Sequence, residues 1–319
     1  MYGKLSVFSG NAAPGFAEAI CKYLKVPRGD ADVTKFSNEN VFVRINDYVR
    51  EQDVFVVQPF ASPVNDNIME LLIMIDALKR ASAGRITAVV PYFAYSRTDK
   101  KDQPRVPITA RLMADIITSA GADRFLTMDL HAGQIQGFFS IPVDELTAFY
   151  HLSKYFRDLA LDDAVVVAPD LGISKKARDF AHGLDAPLAV IEKRRLGNDD
   201  RTAILSIIGH VNQKTAIIFD DEVDTAGSMI EAAQKLCDGG VKDVYACCTH
   251  AVLSGDAIAN LQQSPIKLLV TTDTLPLPQH KRIDKIKVLS VAKIFAETIR
   301  RIHKGGSVGE LFSYDSGVM

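Results

Sequence analysis

The sequence predicts an α/β protein of two domains, each a mostly parallel sheet flanked by helices. Three observations carry this. Short runs rich in β-branched residues recur along the whole chain, and amphipathic segments with helical spacing lie between many of them. Strand, helix, strand at this pace means βαβ units. The length, 319 residues, suffices for two hydrophobic cores.

Taken in order, the strand-like runs are LSVF, DVFVVQ, ITAVV, RFLTMDL, AVVVA, LAVIE, TAIIF, VYACC and KLLVTT. Between the second and third, Asn65 to Ser82 predicts a helix, with Ile68, Leu71, Leu72, Ile75 and Leu78 on one stripe. Met69, Ile73 and Met74 widen its apolar surface, which suits a helix buried on two sides, the second by a partner subunit. Ser96 to Pro107, SRTDKKDQPRVP, is charged, carries two prolines and reads as an exposed mobile loop; Pro107 is expected to open the next helix. A domain junction is placed near Asp144, dividing 1–144 from 145–319, with room for the C-terminal segment to pack back on the first domain. Further on, Met229, Ile230, Ala233, Leu236 and Cys237 share a helix face that Gly239-Gly240 terminates.

Hydrophobic residues make up 47% and charged residues 24%, the profile of a soluble globular chain. The net charge of −2 offers no field for nucleic acid or an anionic membrane, so phosphate binding must come from local placement. The four cysteines form no metal-ligand ladder, and Cys247-Cys248 lie in an apolar run that suits buried, reduced thiols and a cytoplasmic location. No signal peptide opens the chain, and the most apolar stretch, IMELLIMIDAL, is too short to span a bilayer.

The most informative stretch is IIFDDEVDTAGSM, Ile217 to Met229: an apolar strand, two adjacent carboxylates, a third, then small and hydroxylated residues entering a helix. In open α/β sheets ligands bind where strands end and helices begin. The turn Asp224-Thr225-Ala226-Gly227-Ser228 offers backbone N–H groups, two hydroxyls and a helix N-terminus to a phosphate monoester. Asp220 and Asp221 would repel phosphate oxygens, and adjacent sugar hydroxyls are their natural partners. The plainer alternative is a helix N-cap by Asp224 or Thr225 with incidental acids in the first turn.

That stretch resembles the phosphoribosyl-diphosphate motif of type I phosphoribosyltransferases and ribose-phosphate diphosphokinases. The flanks select the second family: SPVNDNIMELLIMIDALKRASA (62–83), PYFAYSRTDKK (91–101), DLHAGQIQGFFSIPVD (129–144), EKRR (192–195) and VYACCTHAVLSG (244–255) all match it. The resemblance runs nearly end to end. The chain is identified as similar to the class I ribose-phosphate diphosphokinases, also called phosphoribosyl pyrophosphate synthetases.

The resemblance implies two phosphoribosyltransferase-like domains and Mg2+-dependent transfer of the β,γ-diphosphoryl group of ATP to O1 of ribose 5-phosphate, leaving AMP. Crowded negative charge at the transferring group calls for a metal and nearby cations. Lys193 and Arg195 match the family's catalytic cations, although three lone charges after a strand otherwise read as a solvated turn. Asp220, Asp221, Asp224, Thr225, Ala226, Gly227 and Ser228 match its ribose 5-phosphate site. Phe36, Asn38, Asn40, Arg97, Thr98 and His131 match its nucleotide contacts, Phe36 stacking on adenine in the site of a neighbouring subunit. His131, near Asp129, and Asp170 match its metal-linked residues, and Lys100 and Lys101 flank the Arg97 position. Asn38 and Asn40 stand where relatives commonly carry acids, Glu222 where an apolar residue is usual, and Leu171 and Ile173 depart from the usual Asp170 loop. The family further implies dimers building a hexamer. Two other readings share part of the pattern: a phosphoribosyltransferase, and a non-catalytic regulatory homologue. The first does not need the Arg97 loop or Lys193 and Arg195, and the second usually loses catalytic residues that are present here.

Overall fold

The computed structural model describes residues 3–195 and 202–312, except for the side chains of 193–195, 202–205 and 312. The described residues divide into two compact units. One holds 3–147, 274–276 and 290–312; the other holds 148–195, 202–273 and 277–289.

In the first unit the chain runs β1 (Leu5–Ser9), α1 (Pro14–Leu24), β2 (Ala31–Lys35), β3 (Val41–Ile45), β4 (Asp53–Val57), α2 (Val64–Arg80), β5 (Arg85–Val90), α3 (Thr109–Ala120), β6 (Arg124–Met128) and β7 (Val143–Leu146). Strands β1-β4-β5-β6-β7 form a sheet whose neighbours are all parallel. β4 is buried along its whole length, as a strand covered on both faces must be. β2 and β3 stand apart as a two-stranded antiparallel ribbon. The second unit runs α4 (Phe149–Asp158), β8 (Ala164–Ala168), α5 (Ser174–Gly183), β9 (Leu188–Arg195), β10 (Thr202–Ile208), β11 (Thr215–Val223), α6 (Gly227–Asp238), β12 (Asp243–Ala251), α7 (Ala257–Gln263), β13 (Ile266–Thr272) and β14 (Ile286–Leu289). Its sheet has the order β10-β9-β8-β11-β12-β13-β14 and is parallel except where β10 turns back on β9.

α8 (Ala292–Lys304) belongs to the first unit, where the rings of Phe16 and Phe295 meet edge to face at 5.5 Å. Its end is tied by the fully buried Asp53. Arg85 donates to both oxygens of that carboxylate at 2.8 and 2.7 Å, and His303 Nδ1 lies 2.8 Å from it. A buried acid needs this degree of pairing, because desolvation otherwise outweighs its attractions.

Several elements differ from expectation in instructive ways. α2 begins at Val64 and ends at Arg80, and its apolar girdle is uneven: Leu71, Met74, Ile75 and Leu78 are fully buried while Met69 remains 47% exposed. Pro107 does not open α3, which starts at Thr109 behind Ile108. Asp129 leaves β6 in a left-handed conformation, φ 42°, so the strand stops at Met128. Lys193 to Arg195 are the end of β9 rather than a turn after it, paired to β10 in the register Ile204↔Lys193 and Thr202↔Arg195. β11 runs on through Asp220, Asp221 and Glu222 to Val223, so the carboxylates are strand residues. The helix terminator works as expected: the positive φ, 83°, falls on Gly240. Cys247 and Cys248 are buried and unpaired with each other, and burial pushes the Cys248 thiol up to about 12.

Candidate active site

In the second unit the chain leaves β8 toward β9 on one side and β11 toward β12 on the other, while β8 and β11 are parallel neighbours. The strand order reverses there, and a crevice opens outside the carboxyl ends of such strands. The residues following these two strands are Asp170 and the Asp224 turn. Both candidate groups of this half therefore share one end of one sheet.

The turn itself is short and pinned through its backbone. Val252 and Leu253 N–H both donate to Val223 O, at 3.0 and 3.1 Å, and Ser254 N–H donates to Asp224 O at 3.0 Å. Ser254 Oγ also donates to the Asp224 carboxylate. Ala226 sits at φ 62°, a left-handed conformation that is costly for a residue with a Cβ, and its carbonyl accepts from Ile230 N to start α6. No side chain caps that helix. Thr225, Gly227 and Ser228 are exposed where the helix begins. The N-cap alternative for Asp224 or Thr225 is not what forms. Adding a Cβ at Gly227 would meet nothing closer than Thr225 Oγ1 at 3.7 Å, so packing does not demand glycine there.

The aspartates before the turn are electrostatically strained. Burial, then the neighbouring Asp221 carboxyl and Asp170, holds Asp220 well above the usual carboxylate range, although its Oδ1 accepts from Asp221 N–H at 2.9 Å. Asp221 is buried, with Lys176 Nζ at 3.6 Å. Glu222 is buried too, and its register partner on β12 is His250. Asp170 is exposed, and its Oδ1 accepts from Gly172 and Ile173 N–H at 2.7 and 3.2 Å. That local turn accommodates Leu171, whose side chain is exposed, and Ile173, whose side chain is buried in the core.

In the first unit, β5 and β6 are parallel neighbours, and their carboxyl ends lead to Arg97 and His131. Tyr95 holds φ 66° and its hydroxyl donates to Asn65 Oδ1 at 2.7 Å; Thr98 N–H donates to Tyr95 O, and Ala110 N–H to Thr98 O. These bonds anchor both ends of the charged loop, whose Arg97, Lys100 and Lys101 are exposed. An open cavity of about 440 Å³ lies beside it, lined by Pro63, Val64, Asn65, Asp66, Ala94 and Tyr95. After β6, Asp129 is buried and Leu130 N–H donates to Glu145 Oε1 at 2.9 Å, which leaves His131 exposed. Phe36, Asn38 and Asn40 share the turn of the β2–β3 ribbon. Phe36 is 57% exposed, packed only 5.5 Å from the ring of Phe42, and Asn38 Oδ1 accepts from Asn40 N–H at 3.2 Å.

The side chains of Lys193 and Arg195 lie outside the described residues. Lys176 and Ser254 were not anticipated from sequence. Their contacts with the aspartates are not local: Ser254 meets Asp224 from the segment after β12, and Lys176 meets Asp221 from α5. Among the described residues no group of three or more His, Cys, Asp and Glu side chains is gathered to hold a metal. No helix among them is long and apolar enough to cross a membrane.

A strand-to-helix turn with an exposed helix start, flanked by acids at the switch point of an α/β sheet, points to the class of α/β proteins that hold phosphate esters. Comparison with known proteins narrows this. Residues 5–121 match the N-terminal domain of ribose phosphate pyrophosphokinase, and residues 198–313 match the phosphoribosyl synthetase-associated domain. The ribose-phosphate pyrophosphokinase of Caldanaerobacter subterraneus subsp. tengcongensis is 54% identical over 310 residues, 97% of this chain and 98% of that protein. That of Clostridium acetobutylicum is 55% identical over 314 residues, 98% of each chain. The crystal structure of phosphoribosylpyrophosphate synthetase from Mycobacterium smegmatis matches with a TM-score of 0.91 and 42% identity, covering 95% of this chain and all of that one. The chain belongs to the class I ribose-phosphate pyrophosphokinase family and is an enzyme of nucleotide biosynthesis.

Proposed function

We propose that the enzyme transfers the β,γ-diphosphoryl group of ATP to O1 of ribose 5-phosphate, yielding phosphoribosyl diphosphate and AMP. The observation that carries this reading is the Asp224–Ser228 turn: a helix start without a side-chain cap, with exposed hydroxyls beside it, next to Asp170 at the sheet's switch point. The 5-phosphate is assigned to the N–H groups of Ala226, Gly227 and Ser228 and to the hydroxyls of Thr225 and Ser228. Asp220 and Asp221 accept from the ribose hydroxyls, and Asp224 is held by Ser254 at the rim. Phe36 stacks on adenine, with Asn38, Asn40, Arg97, Thr98 and His131 around the nucleotide. Residues 1–144 supply the nucleotide contacts and 145–319 the sugar contacts.

O1 attacks the β-phosphorus and loses its proton; the bond from that phosphorus to the bridging oxygen breaks, and AMP keeps the oxygen. Lys193 and Arg195 are assigned to the charge that develops on the transferring oxygens. Magnesium suits the donor set: it takes few protein ligands, and the exposed Asp170 beside a crowded Asp220 is an unmet demand for positive charge. By the family resemblance Asp170 in the second unit and His131 in the first are each assigned as metal-linked residues, and bound magnesium would supply charge neutralisation to the phosphate oxygens. We place the enzyme in the cytoplasm, as a homo-oligomer of dimers building a hexamer in which Phe36 serves a neighbouring subunit.

Phosphorus NMR of the protein with ATP, ribose 5-phosphate and magnesium tests the reading, with Lys193→Ala in parallel. A ribosyl diphosphate appearing together with AMP, and lost in the variant, supports it. ADP as the nucleotide product would overturn it.

A further inference from the structure

The β2–β3 ribbon pairs with no strand of the main sheet, yet it carries Phe36. Two polar ties hold it against α2. Lys35 Nζ donates to Asp66 at 2.6 Å, an exposed pair of the kind that contributes little. The other runs from an exposed residue to a buried one: Asn11 Nδ2 donates to Val33 O on β2 at 3.1 Å and, with its second hydrogen, to Glu70 Oε1 at 2.8 Å.

Glu70 lies on α2, 4% exposed, and accepts from three N–H groups: Asn11 N at 2.9 Å, Asn11 Nδ2 at 2.8 Å and Gln58 Nε2 at 2.8 Å. Gln58 is locked in that orientation because its Oε1 accepts from Ala12 N at 3.1 Å. Every group facing Glu70 is therefore a donor, and a carboxylate, unlike an amide, is an acceptor on both oxygens. The acceptor at Glu70 dictates which way the Asn11 amide points, and only that orientation puts an N–H on Val33 O.

We propose that Glu70, acting through Asn11 with Gln58 behind it, is a positioning residue for the Phe36 ribbon and sets nucleotide affinity without touching the nucleotide. This rests on the assignment of Phe36 to adenine. The test is steady-state kinetics with ATP and ribose 5-phosphate varied in turn, on Glu70→Gln, Phe36→Ala and the double variant, with amide hydrogen exchange of residues 31–45. Glu70→Gln is expected to raise KM for ATP about 5-fold, the scale of one lost hydrogen bond, at unchanged kcat and unchanged KM for ribose 5-phosphate. It should speed exchange in the ribbon but not in β4 to β6, and the double variant should match Phe36→Ala alone. Additive effects, or a kcat loss shared by both substrates, would assign Glu70 to the core and overturn the proposal. Should Glu70→Gln fail to fold, Asn11→Ala, at an exposed position, cuts the same tie. If Phe36→Ala leaves KM for ATP untouched, the adenine assignment falls. Faster ribbon exchange in Glu70→Gln would then still support positioning, and unchanged exchange would end it.

Discussion

The Asp224–Ala226 turn and the Phe36–Asn40 turn are held in different ways. The first is fixed through backbone: Val252 and Leu253 N–H donate to Val223 O just before it, Ser254 N–H donates to Asp224 O within it, and Ala226 is kept in a left-handed conformation that the fold imposes. The second closes on itself, Phe36 N–H donating to Asn40 O at 2.9 Å, and its ribbon is tied to the rest of the unit through side chains. A phosphate is recognised by rigid N–H dipoles, which demand backbone precision. An adenine is recognised by a ring face, which tolerates a tethered aromatic. Substitutions should therefore couple stability to binding at the first turn and separate them at the second.

The largest effect is expected at the strand that feeds the first turn. Asp221→Ala removes a buried acceptor and its pairing with Lys176, and kcat/KM for ribose 5-phosphate should fall about 100-fold. Kinetics with each substrate varied would check that ATP saturation is little altered. Phe36→Ala should raise KM for ATP about 10-fold through lost stacking, while the melting temperature, read by calorimetry, stays put because the ring is largely solvated. A melting shift there would break the contrast between the two turns. Ala226→Val places a β-branched residue at φ 62° in a buried position, and should both raise KM for ribose 5-phosphate about 5-fold and lower the melting temperature by about 2–4 °C.

The smallest effect sharpens the electrostatics. Asp220 is raised in the folded state, so its favourable contribution to stability is complete below the ordinary carboxylate pKa and is lost as pH rises through the elevated folded value. Asp220→Asn should therefore flatten the decline of melting temperature with pH above the usual carboxylate range. A decline identical to that of the parent would show that another group is responsible.

Much of the first turn was legible because it is local. An apolar strand, acids, small residues and a helix follow one another within Ile217 to Met229, and covalent order alone brings them together. The strand extends further than its apolar run suggests, since β12 continues to pair with Asp220 and Glu222. The β2–β3 ribbon was less legible: its residues are half-exposed, so no apolar period marks it. Lys193 to Arg195 follow the apolar run LAVIE yet still belong to β9, because the antiparallel partner Thr202 to Ile204, seven to eleven residues on, keeps the backbone extended.

The pattern of β-branched runs and amphipathic helices was enough to establish the α/β class, the strand-to-helix turn after the aspartates and, through its motifs, the family, because hydrophobic period and turn chemistry are properties of neighbouring residues. Strand order is not. That β8 lies against β11, that Lys176 approaches Asp221, that Ser254 reaches Asp224 thirty residues earlier in the chain, and that Asn11 bridges Glu70 to Val33 all depend on long-range packing. Such contacts form only when buried apolar faces have chosen their neighbours, and no local signal in the chain announces the choice.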